Sequence, residues 1–126
     1  MASLSPKTKP PRKTGIAHFF AAAQYSFMGF QRLLRESAFR QELLALAAGL
    51  ALLAALNVGL PKIIGFAILM LVLIAVESLN TAIEVLVDHL SPDWSEFAKQ
   101  AKDLGSFAVS CLITANGLYL LWALFL

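Results

Sequence analysis

Residues 63–88 read IIGFAILMLVLIAVESLNTAIEVLVD. The run is apolar and long enough to cross a bilayer as one helix, which takes about 20 predominantly apolar residues. Glu77, Asn80, Glu84 and Asp88 interrupt it. A helix turns by about 100° per residue, so Glu77, Glu84 and Asp88 fall within a few tens of degrees of one another, with Asn80 and Thr81 flanking that line. The run therefore carries one acidic stripe. Holding a carboxylate near a bilayer centre costs about 2.5–3.5 kcal/mol on insertion scales. Two carboxylates on one face point to chemistry, ion coordination or a proton path more than to packing.

Two further apolar stretches, at about 38–56 and 104–126, have spanning length, and the central one is bounded at about 62–87. The composition agrees. With 126 residues, 59% of them hydrophobic and 14% charged, and a mean hydropathy of +0.73, the chain is too apolar for a soluble domain of its size. The fold class expected is all-α, one small membrane domain with three transmembrane helices. Residues 57–61, with Gly59 and Pro61, read as a tight turn, and residues 88–103, with Pro92 and mixed charge, as a polar loop. Nine of the ten Lys and Arg residues lie before the first span, at its start, or in the second loop, and only Lys62 lies in the first turn. The positive-inside rule then puts the N-terminus and the second loop in the cytoplasm. Cys111, the single cysteine, excludes an intrachain disulfide and reads as a packed, inert thiol. No dense basic tract suggests a nucleic-acid partner.

Residues 1–15 are basic and interrupted by Pro6, Pro10 and Pro11, which reads as a disordered tail. From about 16 to 35 the pattern becomes helical. Ile16, Phe20, Ala23, Phe27, Phe30 and Leu34 share one side, while His18, Tyr25 and Arg32 line the other. Such a helix suits the membrane interface, and packing on a partner helix is the alternative.

Depth sorts the polar residues. At about 1.5 Å per residue Glu77 lies about 16 Å from Asp88, well inside, and Glu84 about 6 Å from it, near the headgroups. Glu36, Arg40 and Glu42 stand at the start of the first span, and Lys99, Lys102 and Asp103 at the start of the third, so acids and cations converge on one membrane level. Carboxylates there can hold Mg²⁺, which usually takes one or two of them together with substrate phosphates. A lysine can neutralise phosphate charge, and a deeper carboxylate can take the proton of a lipid hydroxyl. The order fits a lipid kinase. No G-x-x-x-x-G-K-[ST] or G-x-G-x-x-G loop is present, however, and from the residues alone a proton-coupled transporter is equally tenable.

Three blocks narrow the choice: ESAFRQE at 36–42, ESLNTAIE at 77–84 followed by Asp88, and AKDLGS at 101–106. Their content, order and spacing resemble the small integral-membrane diacylglycerol kinases of bacteria, a family that includes undecaprenol kinases. The resemblance runs from about Tyr25 to the C-terminus. It implies a homotrimer of three-span protomers, each with an amphipathic N-terminal surface helix, in the bacterial inner membrane. It also implies that residues 16–126 form one kinase domain, with active sites built where subunits meet. The implied reaction moves the γ-phosphate of MgATP to a lipid hydroxyl. On the matching positions, Glu77 is the implied general base, supported by Asn80, and Glu36 and Glu84 are the implied Mg²⁺ ligands. Tyr25, Lys102 and Asp103 match nucleotide-contacting positions, and Arg40, Glu42 and Ser106 match positions lining the lipid site. His18 stands where the family usually carries an arginine. The AFRQE and GS segments look more like the diacylglycerol enzymes than the undecaprenol ones, so the implied substrate is diacylglycerol and the product phosphatidic acid.

Overall fold

The computed structural model describes residues 9–126, which form four helices: α1 Gly15–Leu33, α2 Ser37–Ala55, α3 Leu60–Leu90 and α4 Glu96–Phe125. Of the expected basic tail, residues 1–8 lie outside the described residues, and residues 9–14 run exposed and non-helical into α1. The chain divides into two compact units, Met1–Gln31 and Arg32–Leu126.

The first unit holds most of α1. Ile16, Phe19, Phe20 and Phe27 are exposed along one side of this helix. Phe19 and Phe20 meet edge to face at 5.9 Å. In water such a stripe would be costly, whereas at a bilayer interface it is the part of the helix that enters the acyl boundary.

The second unit is a three-helix bundle whose members are all long and apolar enough to cross a membrane. The protein is thus an all-α, multi-pass membrane protein. The turn from α2 to α3 follows from its residues. Asn57 takes φ +51° and Gly59 φ +97°, conformations that Asn and Gly tolerate best, and Pro61 starts α3 where its missing N–H costs nothing. With 31 residues α3 is about 46 Å long, which exceeds a hydrocarbon core of about 30 Å.

The polar stretch 88–103, expected as a loop, is helical at both ends, and only residues 91–95 lie outside α3 and α4. Local chemistry extends α4 backward to Glu96. The Ser95 hydroxyl caps it by accepting from the Ala98 N–H at 3.2 Å, and Gln100 bonds Glu96 and Lys99 bonds Asp103 one turn apart. Polarity in this segment therefore does not mark an absence of helix.

The core is built around α3, which packs broadly on α4 and more narrowly on α2. Leu53, Phe66, Met70, Leu73, Val109 and Ala123 form its buried centre. Gly49 lies against the Phe66 ring, leaving no room for a Cβ, so α2 and α3 approach closely there. Far from the acidic stripe, α3 and α4 are fixed in register. Tyr119 Oη donates to the Lys62 carbonyl at 2.9 Å, and Lys62 Nζ donates to the Ala123 carbonyl at 3.3 Å while lying 5.1 Å over the Trp122 ring. At mid-depth, Asn116 Nδ2 donates across to the Leu69 carbonyl and within α4 to that of Leu112. Cys111, expected to be packed, is exposed in the single chain, because its side of α4 faces away from α3. In a membrane that outward side is where an apolar thiol costs least.

Candidate active site

Three of the four stripe residues point into one place. Glu77, Asn80 and Glu84, with Thr81, line a cleft of about 280 Å³ that is closed by Glu36, just before α2, by Ser37 of α2, and by Ser106 and Val109 of α4. Their spacing of three, four and seven residues puts all four side chains on one face of α3. Glu77 is only 5% exposed, and Asn80 and Thr81 are equally buried. Asn80 Nδ2 donates to Glu84 Oε1 at 3.3 Å. Its Oδ1 is buried without a hydrogen-bond partner and faces Gly105 of α4. Glu36 is held from the other side by Arg32 one turn earlier, at 2.5 Å. Three carboxylates and an amide thus converge in one cleft of a bundle whose helices are long and apolar enough to cross a membrane.

A second hollow of about 340 Å³ adjoins the α3–α4 connection and is lined by Asp88, Trp94, Lys99, Lys102 and Asp103, among others. Lys102 pairs with Asp88 at 2.5 Å, which ties the two helices, and Lys99 pairs with Asp103 at 2.6 Å. All four groups are substantially exposed, so the pairs hold little energy. Trp94 stands 78% exposed beside them.

The structure therefore brings Glu36, Glu77, Asn80, Glu84 and Ser106 to one cleft, with Lys102 and Asp103 in a second hollow that shares no lining residue with it. It does not bring Arg40 or Glu42 there. Arg40 Nη1 donates to the Leu34 and Arg35 carbonyls at 3.0 Å each and so ties down the turn before α2. Buried Glu42 lines a mostly apolar groove of about 350 Å³ with Gln41, Phe66, Met70 and Asn116, and this groove meets the cleft along Ala38 and Val109. Tyr25 is exposed on α1, in the first unit. The sequence reading overlooked Trp94 and Asn116. Each had a signal, an aromatic residue among charges in a loop and a lone amide in an apolar span.

The pattern is met again in known proteins. The prokaryotic diacylglycerol kinase family model matches residues 24–126. The chain belongs to that family. A diacylglycerol kinase from Sinorhizobium is 51% identical over 108 residues, spanning 86% of this chain and 79% of the relative. The Escherichia coli K12 diacylglycerol kinase is 38% identical over 98 residues, 76% of this chain and 80% of its own. The Pseudomonas aeruginosa diacylglycerol kinase is 36% identical over 104 residues, 81% and 84%. The protein is thus a membrane-embedded lipid kinase that draws its phosphate from ATP, and the transporter reading falls.

The lipid kinase has a donor set that suits a divalent cation. Glu36 and Glu84 face one cleft, two carboxylates being the number Mg²⁺ usually takes beside phosphate oxygens. Among the described residues no group of three or more His, Cys, Asp or Glu is arranged to hold a metal ion by itself. A kinase whose nucleotide brings its own phosphate ligands needs none.

Proposed function

We propose that this kinase transfers the γ-phosphate of ATP to the free hydroxyl of diacylglycerol and releases ADP and phosphatidic acid. The observation that carries this reading is the burial of Glu77 in the cleft that also holds Asn80, Glu84 and Glu36. Glu77 takes the proton of the lipid hydroxyl as its oxygen bonds to the γ-phosphorus and the bond to the β–γ bridging oxygen breaks. Asn80 positions the neighbouring carboxylate through its amide. Glu36 and Glu84 would hold Mg²⁺, which neutralises charge on the phosphates when bound. Lys102, turning from Asp88, neutralises charge on the transferring group, and Asp103 and Trp94 bound the nucleotide. Tyr25 is a proposed nucleotide contact on its match to the family position alone. Ser106, at the cleft edge, and Arg40 and Glu42 contact the lipid. The reading extends to a homotrimer in the bacterial inner membrane, with residues 16–126 as one domain, the tail and the 91–95 loop cytoplasmic, and sites completed by a neighbouring subunit.

Purified protein in mixed micelles, given γ-labelled ATP with either diacylglycerol or undecaprenol, tests the substrate. Labelled phosphatidic acid as the main product supports the proposal. Preferred labelling of undecaprenol overturns it in favour of polyprenol recycling.

Two variants test the roles around the phosphates. Glu84→Gln should raise the Mg²⁺ concentration for half-maximal rate at least about tenfold, the low end of what even indirect metal partners cost. An unchanged Mg²⁺ titration would remove Glu84 from the metal. Trp94→Ala should raise KM for ATP about tenfold at nearly constant kcat, as expected for a lost stacking surface. An unchanged KM would leave Trp94 outside the nucleotide site.

A further inference from the structure

The first 35 residues hold six of the ten Lys and Arg residues and none of the eight Asp and Glu. The net charge of +2 hides this division, since the remaining residues carry all eight acids against four cations. Lys9, Arg12 and Lys13 are exposed in a non-helical segment that runs directly into α1, whose Ile16, Phe19, Phe20 and Phe27 are exposed along one side. This cationic segment lies before residue 24, where the family match begins. We infer that residues 9–13 dock on the headgroups of anionic phospholipid, beside the interface that receives the apolar stripe of α1.

Charge, reach and composition all fit that occupant. With no acidic residue in the first 35, nothing within this part of the sequence competes for the cations. An extended chain advances about 3.5 Å per residue, so Arg12 and Lys13 lie within about 10 Å of the start of α1, near the Debye length of about 8 Å at physiological salt. Each cation that reaches an anionic leaflet raises surface affinity roughly fivefold, so three raise it about a hundredfold. Pro10 and Pro11 keep the segment from folding into α1, and its backbone then lies along the surface. A basic stretch joined to an exposed aromatic helix face combines the two elements of interfacial binding, electrostatic attraction and apolar insertion. The inference is independent of which lipid is phosphorylated.

The test uses the full chain in lipid nanodiscs, with an environment-sensitive fluorophore on Pro10→Cys in a Cys111→Ser background. Quenching by neutral acrylamide reports how open the segment is to water. In discs of phosphatidylcholine with one-quarter phosphatidylglycerol, quenching should fall at least about threefold relative to pure phosphatidylcholine. It should recover in 1 M NaCl, where the Debye length is about 3 Å. The same label in a Lys9→Gln, Arg12→Gln, Lys13→Gln chain should show no difference between the two discs. Equal quenching of the unsubstituted segment in both discs overturns the inference. So does equal protection in the glutamine chain, which would assign the effect to α1 alone.

Discussion

Glu77→Gln should lower kcat by about 10²–10⁴, the usual contribution of a positioned general base, with KM for ATP unchanged. The size of the loss follows from position. Glu77 is buried where α2, α3 and α4 meet, so no bulk water reaches its place to take the hydroxyl proton. Gln keeps the shape of the side chain and its capacity to hydrogen-bond, so the bundle and the nucleotide hollow are undisturbed. Circular dichroism and ATP binding should therefore match the unsubstituted protein while lipid phosphorylation fails. A variant that loses ATP binding and helicity together would make Glu77 a structural residue.

Gly105→Ala should cost about 10–100-fold in rate and about 1–3 kcal/mol in stability. A methyl group at Gly105 would collide with Oδ1 of Asn80, an atom already buried without a hydrogen-bond partner. Either α4 withdraws from α3 or the amide turns, and turning it breaks the Asn80 bond to Glu84. The sign is informative, because Ala in place of a helical Gly otherwise favours the helix by up to about 1 kcal/mol. A more stable Gly105→Ala chain would mean that the helices do not meet as described. Adding Asn80→Ala removes the obstructing amide, so the double variant should regain stability without regaining activity. That non-additivity is the mark of direct contact.

How much of this was legible in the sequence depended on whether the information was periodic. The acidic face of α3 was, since its spacings of three, four and seven follow from helix geometry, and the structure sets those side chains in one cleft. The three apolar spans were legible from the length of their apolar runs alone. The start of α4 was not, because its first turns are polar, and their helicity rests on the Ser95 cap and on i,i+4 pairs. Gly105 reads in sequence as any small residue, and only the approach of α3 gives it a task. The bonds of Arg40 to the Leu34 and Arg35 carbonyls could be known only once the chain had turned between α1 and α2. Glu42 and Glu77 are both buried acids, and packing sets them on a groove and a cleft that meet along Ala38 and Val109, which sequence spacing alone does not reveal.

The most direct test of the central claim is single-turnover transfer of labelled γ-phosphate from saturating MgATP to diacylglycerol in mixed micelles, run beside Glu77→Gln. The unsubstituted protein should give labelled phosphatidic acid and ADP in equal amounts. The variant should show less than about one-hundredth of that rate at equal bound ATP. Comparable labelling by both proteins would mean that the buried carboxylate of α3 has no part in taking the proton.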